Sequence, residues 1–281
     1  MKKRIWRWLL PTLLALCFLF TGWVIWDNNR FVITEYTVEN EKLPESFSGF
    51  RIAQVSDFHN CQFGEDHEDL LQALEVGKPD IIAITGDLVD SYHPDLENSM
   101  DFVEGATKIA PVYYVSGNHE SRQDYAQICL RLEQLGVTIL EERSATLRRG
   151  TDAIVLLGVQ DPAFYADPKR DEDEQVMQEL IAEIEFPKEF SILLSHRNNM
   201  LDIYADVGAD LVLSGHAHGG ALQFPWGGGF YANGKLFPEY TNGIYKQDET
   251  TMIVSRGIGN SLLPLRINNT PELVFVTFTN R

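Results

Sequence analysis

Two histidines that could bind a metal ion follow a short apolar run in LVLSGHAHGG, residues 211–220. His216 and His218 lie one residue apart, and Gly215 and Gly219 leave the backbone room to approach an ion. Neutral imidazole is the commonest metal ligand among protein side chains. Because a single stretch of this kind could also be a surface loop, its interpretation depends on the other ligands that the chain offers.

Four further apolar runs end in polar side chains of the same kind. With the first stretch included, the side chains at the five ends are Asp57 and His59 in FRIAQVSDFHN (50–60), Asp87 in DIIAITGDLVD (80–90), Asn118 and His119 in PVYYVSGNHES (111–121), His196 in SILLSHRNN (191–199), and His216 and His218 in DLVLSGHAHGG (210–220). Short β-branched runs bounded by Gly or Ser are typical of buried strands. Five of the seven histidines therefore lie at predicted strand ends.

These side chains are too many for one tetrahedral ion. Imidazole and carboxylate together suit zinc, manganese or iron, and the set fits a pair of ions ~3.5–4 Å apart, which can clamp a phosphoryl group during in-line attack. Each motif alone has an ordinary explanation as a strand cap, a turn or a surface loop. The five in this order indicate a metal site. We expect His67 and His93, which follow no strand, to be surface residues.

Helices are predicted between the strands. Residues 65–77 and 121–136 carry apolar residues at three- and four-residue spacing, and in the second stretch Ser121 is placed as an N-cap and Gly136 as a stop. Strands that alternate with helices favour an α/β sandwich, in which ligands bind beyond the carboxyl ends of the strands. All five clusters lie at such ends.

The charge and hydropathy pattern of the first 30 residues predicts a transmembrane helix. Basic residues precede a stretch without charge from Trp8 to Trp26, whose 19 residues at ~1.5 Å each approach the ~30 Å hydrocarbon core. The alternative is a cleaved signal peptide, but no convincing small-residue cleavage site is present. We therefore predict a basic cytoplasmic tip and signal anchor over residues 1–30. One globular domain, residues 31–281, would then lie outside a cytoplasmic membrane that the chain crosses once.

The charge of that domain argues against a nucleic-acid partner. The chain has a formal net charge of −18, and residues 31–281 carry 18 basic and 40 acidic residues. Such a domain would be repelled by nucleic acid, although most of the charge could simply keep the surface soluble. The sequence leaves the oligomeric state open.

Taken together, these motifs resemble the calcineurin-like metallophosphoesterase superfamily over about residues 51–220. TGDLVD, LLSHR, GHAHGG and, near the C-terminus, SRGIGNSLLPLRINNTPEL resemble its bacterial membrane-anchored branch. The resemblance implies an α/β fold of two facing mixed β-sheets flanked by helices, a four-layer αββα sandwich, after the N-terminal transmembrane helix. It also implies two divalent metal ions, manganese, zinc or iron, with a bridging water or hydroxide as the nucleophile.

The resemblance assigns roles by position. The first metal would be held by Asp57, His59, Asp87 and His218, and the second by Asp87, Asn118, His196 and His216. His119 matches a histidine that assists the leaving group without binding metal. Asp90 matches the carboxylate that orients this histidine in protein phosphatases, but Ser91 stands where those enzymes have arginine.

The implied function is hydrolysis of phosphate esters or pyrophosphates, with a cell-envelope or lipid-linked substrate. A nuclease or cyclic nucleotide phosphodiesterase of the same superfamily and a non-catalytic metal-bound scaffold are the alternatives. Arg197 and Arg256 are candidate phosphate contacts, although either could form a surface ion pair. Trp226 lies in FPWGGGFYANGKLFPEY (224–240), which is either a substrate-contacting lid or a loop folded on its own aromatic cluster.

Overall fold

Helices and strands alternate through most of the chain in the computed structural model, which describes residues 2–167, 170, 172–232, 234–260 and 265–280. The helices are α1 (Lys2–Asn28), α2 (Glu68–Gly77), α3 (Leu96–Thr107), α4 (Tyr125–Gln134), α5 (Asp173–Ala182) and α6 (Leu201–Asp206). The strands are β1 (Val32–Glu39), β2 (Arg51–Val55), β3 (Ile81–Thr85), β4 (Val112–Val115), β5 (Thr138–Ile139), β6 (Arg143–Arg149), β7 (Asp152–Gly158), β8 (Ser191–Leu194), β9 (Leu211–Ser214), β10 (Tyr231–Ala232), β11 (Lys235–Leu236), β12 (Gly243–Gln247), β13 (Thr250–Val254) and β14 (Glu272–Thr279).

Two six-stranded mixed sheets form the centre of the domain. The first has the order β1-β14-β2-β3-β4-β5, and the second has the order β12-β13-β9-β8-β7-β6. Strands β2 to β5 are parallel, and β14 runs antiparallel to β2. In the second sheet β7, β8, β9 and β13 are parallel, with β6 and β12 antiparallel at the edges. β10 and β11 form a separate small hairpin.

Apolar layers on both faces of each sheet explain why the central strands β3, β8 and β9 are buried at every position. Successive side chains of β3 point to opposite faces, so Ile81 and Ala83 pack between the sheets while Ile82 and Ile84 pack toward helices α2, α3 and α4. Helices α5 and α6 cover the outer face of the second sheet. The predicted αββα sandwich is confirmed.

The five predicted strands are confirmed as β2, β3, β4, β8 and β9, but the N-cap of one helix differs. α4 starts at Tyr125, where the carboxylate of Asp124 accepts the backbone N–H of Gln127. Ser121 instead donates its hydroxyl to the carbonyl of Asn118, because the chain makes a separate 3-10 turn there before the helix begins. Gly136, at φ 83°, lies just past the end of the helix as predicted.

The prediction that His67 is a surface residue was wrong. It is buried, its Nε2 lies 3.0 Å from the carbonyl of Asn98, and its ring packs against Phe58 and Phe102. It lies immediately before α2 and packs on the apolar side of that helix's N-terminal end. His93 is exposed, as expected.

α1 extends away from the domain. Its segment Trp8–Asn28 has a mean hydropathy of 2.0 and is long and apolar enough to cross a membrane, although a signal sequence would satisfy the same criterion. The helix contains Pro11, which a membrane helix tolerates. Its last two turns contact the domain, and the side chains of Val24 and Asp27 there are buried.

Candidate metal centre

The carboxyl ends of β2, β3, β4, β8 and β9 bring the predicted ligands into two groups. Within each group the possible ligand atoms lie within 4.8 Å of one another. The first group is Asp57, His59, Asp87 and His218, and the second is Asp87, His196 and His216. Asp87 belongs to both groups, which is the position that a bridging ligand would occupy.

The first group places ring nitrogens against carboxylate oxygens. Nε2 of His218 lies 3.1 Å from Nε2 of His59 and 3.2 Å from Oδ1 of Asp57. Nε2 of His59 is 3.6 Å from Oδ2 of Asp87. Two imidazole nitrogens that face each other beside two carboxylates form a donor set suited to a divalent cation.

The second group has the same character. Nε2 of His196 lies 3.2 Å from Oδ2 of Asp87 and 3.1 Å from Nδ1 of His216. On the far side of the His196 ring, Nδ1 lies 2.9 Å from the carbonyl of Thr85. This carbonyl can only accept a hydrogen bond, so Nδ1 carries a proton and Nε2 faces the carboxylate.

Asn118 provides an independent test of whether a metal fits. Its amide oxygen Oδ1 is buried and has no hydrogen-bond partner among the described residues. The same residue lines the cavity beside Asp87 and His216. A buried carbonyl oxygen without a partner costs about 1–3 kcal/mol, and ligation of a cation would remove that cost. The residues present therefore fit divalent metal ions.

The backbone around the ligands is strained. Five candidate ligands have a positive φ, although none is glycine: Asp57 at 52°, His59 at 48°, Asp87 at 52°, His216 at 67° and His218 at 47°. Aspartate and histidine tolerate this region better than most residues, but it still costs about 1–3 kcal/mol each. Strain of this kind persists only where the surrounding structure enforces it, and it clusters at functional sites.

Glycines allow the ligand loops to approach one another closely. A Cβ on Gly117 would lie 2.3 Å from Oδ1 of Asp87, and a Cβ on Gly215 would lie 2.3 Å from Oδ2 of Asp57. A Cβ on Gly86 would lie 2.6 Å from Nδ1 of His196. The glycines in TGD, SGN and SGH thus leave space that the ligand side chains occupy.

Burial and charge set the protonation of the ligands. Burial lowers the pKa of His59 and His216 well below the ordinary value, so both rings are neutral and able to bind metal. Burial alone would also lower the pKa of His196, but the carboxylate of Asp87 outweighs it and raises that pKa to about 10. A divalent cation beside Asp87 would take the place of that proton.

His119 lies at the edge of the centre with the opposite orientation of its ring. Its Nδ1 accepts the backbone N–H of Ser91 at 3.0 Å. In the neutral ring Nε2 therefore carries the proton, and Nε2 lies 4.0 Å from Oδ2 of Asp87. His119 also forms a looser group with His59 and Asp90. The tautomer suits a proton donor better than a metal ligand.

Asp90 acts on this histidine less directly than the resemblance implied. Its Oδ1 is 3.8 Å from Nδ1 of His119, beyond hydrogen-bond distance, and it accepts the backbone N–H groups of Tyr92 and His93 instead. Asp90 thereby shapes the turn that presents the N–H of Ser91 to His119. The backbone of Ser91 fills the place that sequence reasoning gave to the carboxylate.

Glu120 is a buried residue to which the sequence assigned no role. Its carboxylate accepts the backbone N–H groups of Asp87 at 3.1 Å, Val89 at 3.1 Å and Gly117 at 2.7 Å. Burial, followed by the charge of Asp87, raises its pKa to about 7. Glu120 joins the loops after β3 and β4, and its position in the GNHE motif was the only available signal.

Arg197 is already bound by carboxylates. Its guanidinium makes a two-pronged contact with Asp161 at 2.7 Å and a third contact with Asp173 at 2.9 Å. Its NH1 group lies 3.2 Å from Nε2 of His216. Arg197 thus forms the ion pair that was the alternative to a phosphate contact, and it also contacts His216.

Two other predicted substrate contacts do not line the cavity. Arg256 pairs with the buried Glu272 of β14 at 2.6 Å, which is the ion-pair alternative. Trp226 is 81% exposed and stacks on Phe224 at 5.1 Å between ring centroids. Neither is among the described residues that line the cavity.

The cavity over the ligands has a volume of about 420 Å³ and two arginines that the sequence did not single out. Arg266 is buried, and its NH2 group lies 3.2 Å from Nδ1 of His218. Arg122 lies at the rim, 3.3 Å from the hydroxyl of Tyr92. Arg122 directly follows the GNHES motif, whereas Arg266 is distant in sequence from His218 and is brought to it only by the tertiary structure.

Comparisons with known proteins agree on one family. The family model described as calcineurin-like phosphoesterase matches residues 50–220. The uncharacterised metallophosphoesterase YkuE of Bacillus subtilis is 29% identical over 253 residues, which is 87% of this chain and 84% of that protein. An uncharacterised metallophosphoesterase of Aquifex aeolicus is 30% identical over 89% of this chain and 92% of its own length.

A solved structure has a similar arrangement of strands and helices. The phosphopantetheinyl hydrolase of Mycobacterium tuberculosis superposes with a TM-score of 0.48 and 13% identity, over 78% of this chain and 96% of that chain.

Proposed function

This chain belongs to the calcineurin-like phosphoesterase family and is a metal-dependent phosphoesterase, and we propose that it hydrolyses phosphate esters or pyrophosphates at a two-metal centre outside the cytoplasmic membrane. The observation that carries the proposal is the position of Asp87, which is shared by two separate groups of donor atoms. A carboxylate with an oxygen for each of two cations is what a two-metal site requires.

The proposed ligands divide between the two sites as the family resemblance implies. Asp57, His59, Asp87 and His218 would hold one ion, and Asp87, Asn118, His196 and His216 would hold the other. Two divalent ions, manganese, zinc or iron, would offset the charge of the phosphate and lower the pKa of bound water. The mixed imidazole and carboxylate set supports these ions over magnesium or calcium.

The remaining polar groups of the cavity have roles around the substrate. His119 would donate the proton on Nε2 to the leaving group, because the N–H of Ser91 occupies the other ring nitrogen. Arg122 at the rim could contact a phosphate oxygen, since its guanidinium is bound by no carboxylate in the contacts described. Arg266 would hold the His218 side of the cavity in place.

The membrane part of the proposal has α1 as its support. The basic residues at the N-terminal end of α1, before its apolar span, favour a cytoplasmic N-terminus and an external domain. An enzyme anchored in this way would meet phosphate groups of the cell envelope, including those carried by lipids. The excess of acidic residues in 31–281 argues against nucleic acid as the substrate.

Metal restoration tests the activity. The purified full chain is treated with a chelator and then assayed with p-nitrophenyl phosphate and bis-p-nitrophenyl phosphate, with manganese, zinc or iron added back. We expect hydrolysis to disappear on chelation and to return with at least one of these ions. His196→Ala should stay inactive with every ion, whereas the exposed His93→Ala should match the wild type. Full activity of the chelated enzyme, or of His196→Ala, would contradict the proposal.

A further inference from the structure

An exposed apolar surface lies on the segment that follows the ligand histidines. We define the aromatic rim as Phe224, Trp226, Phe230, Leu236 and Phe237. Trp226 is 81% exposed, Phe237 is 65% exposed and Leu236 is 61% exposed. The rings of Phe224, Phe230 and Phe237 contact one another at centroid distances of 5.5 to 6.3 Å. A contiguous exposed surface of this kind marks a site of contact with a protein or a membrane.

The aromatic rim borders the cavity. Tyr231, which follows Phe230, and Ala232 and Gly234 after it line the cavity. The rim is therefore continuous along the chain with the wall of the cavity, and whatever covers the rim lies beside the bound substrate.

The rim is joined through one short segment to the end of α1. Asn28 donates its amide N–H to the carbonyl of Arg266 and accepts the N–H of Arg266, both at 2.8 Å. The next residue, Ile267, pairs with Leu222, and its carbonyl accepts the N–H of Gln223 at 3.0 Å. Only one strand spacing, about 4.8 Å, separates this segment from the start of the rim.

The connection between α1 and the domain is too short to hold the domain away from a membrane. α1 ends at Asn28 and β1 begins at Val32, so residues 29–31 are the whole linker. Three residues span at most about 11 Å when fully extended. The last turn of α1 is also packed on the domain, because Asp27 is buried and accepts the hydroxyl of Thr270 at 2.9 Å.

The sequence around the rim lacks acidic residues. Residues 211–238 and 250–271, which include the rim and the segment beside α1, contain no Asp or Glu. The whole of 31–281 contains 40 acidic residues. An anionic lipid surface repels carboxylates and attracts cations, and Lys235 lies within the rim segment.

From these five observations we propose that the aromatic rim rests in the interfacial layer of the bilayer that α1 enters. The cavity then opens along the membrane surface, at the level of lipid headgroups, and the enzyme acts on a phosphate carried by an amphiphile in that bilayer. The inference rests on the membrane anchor of the proposed function. Trp and Phe suit this layer because their rings combine apolar area with a preference for the headgroup boundary.

Trp226 provides the test, because it is the only tryptophan after residue 30. The full chain is reconstituted into phosphatidylcholine vesicles made with either brominated or ordinary acyl chains. The emission of Trp226 is obtained as the difference between the wild type and Trp226→Phe. We expect bromine to quench most of this difference emission, while equal difference emission in the two kinds of vesicle would overturn the proposal.

The residual emission of Trp226→Phe tests the anchor separately. It comes from the tryptophans of residues 1–30, which bromine should quench if α1 spans the bilayer. Loss of quenching there would reject the anchor, whereas quenching there without quenching of Trp226 would reject only the rim.

A charge on the rim provides a second variant. Leu236→Asp should reduce the quenching of Trp226. Val76→Asp is the control and should leave the quenching unchanged, because Val76 is a comparably exposed apolar residue that lies on α2, outside the rim. Unchanged quenching in Leu236→Asp would show that Trp226 contacts lipid independently of the other rim residues, which would contradict the proposal.

Discussion

At the scale of single residues, the partner of one ring nitrogen decides what the other nitrogen can do. The carbonyl of Thr85 accepts a hydrogen bond from Nδ1 of His196, which in the neutral ring leaves a lone pair on Nε2 for a metal ion. The N–H of Ser91 donates to Nδ1 of His119, which leaves a proton on Nε2. His119, which follows β4, and His196, which follows β8, therefore suit opposite roles.

Substitution of His119 tests this division. His119→Ala should keep its metal ions and lose turnover by about 10²–10⁴-fold, the usual contribution of a general acid. The loss should be smaller for a substrate with a good leaving group, because such a group needs little protonation. Turnover and elemental analysis on the same sample provide both values. If His119→Ala lost its metal instead, His119 would be a ligand and the assignment would be wrong.

The same scale shows what the sequence could and could not predict about the site. Residue types and order at the strand ends predicted the donors that the structure brings together, because β-strands carry their last residues to a common edge. Arg266 and Glu120 were not predicted as parts of the site. Glu120 accepts a backbone N–H group from the loop after β3, and Arg266 contacts a ring nitrogen of His218. Contacts between residues so far apart in the sequence leave no regular spacing that could be recognised.

At the scale of elements, strands place the ligands and glycines allow the loops to close over them. Gly86, after β3, has φ 84°, and a Cβ there would clash with His196. Gly136, after α4, has φ 83° and open space around it. The two glycines have nearly the same positive φ, and they differ only in the atoms that an added side chain would contact.

This pair forms a matched comparison. Gly86→Ala and Gly136→Ala should both lose stability from the positive φ, by about 1 kcal/mol. Only Gly86→Ala should also displace the ring of His196 and lose metal and activity. Thermal unfolding and phosphatase assays of the two variants separate the effects. Equal activity losses would contradict the close approach of Gly86 to the ligand.

Helix boundaries were harder to predict than strand ends. Ser121 and Asp124 are both acceptable N-caps by residue type, and the periodicity of 121–136 does not choose between them. The 3-10 turn that carries Glu120 uses the first residues of the stretch, so the helix begins after Asp124. The N-terminus of α4, which local propensity does not determine, is therefore set by the turn that places Glu120 in the site.

At the scale of the whole molecule, metal binding should contribute to stability. The centre buries carboxylates and imidazoles at the meeting point of both sheets, and cations that bind only the folded state stabilise it. With free metal at about 100 times its Kd, the contribution is about 2.7 kcal/mol. For a domain of this size it corresponds to a rise in Tm of about 5–10 °C.

Calorimetry with and without a chelator measures this contribution. The rise in Tm caused by metal should shrink as the pH falls, because protons compete for the same imidazoles. His196, whose pKa is raised to about 10 by Asp87 against the effect of burial, must release its Nε2 proton before a metal binds. A Tm that did not respond to chelation at any pH would contradict a metal centre in the folded domain.

The central claim is that Asp87 bridges two metal ions, and the metal content of Asp87→Asn tests it most directly. Both proteins are purified as full chains, loaded with manganese and analysed for metal per chain. We predict two ions per chain in the wild type and far fewer in Asp87→Asn, because the substitution weakens both sites at once. Two ions per chain retained in Asp87→Asn would contradict the bridging assignment and the two-metal account built on it.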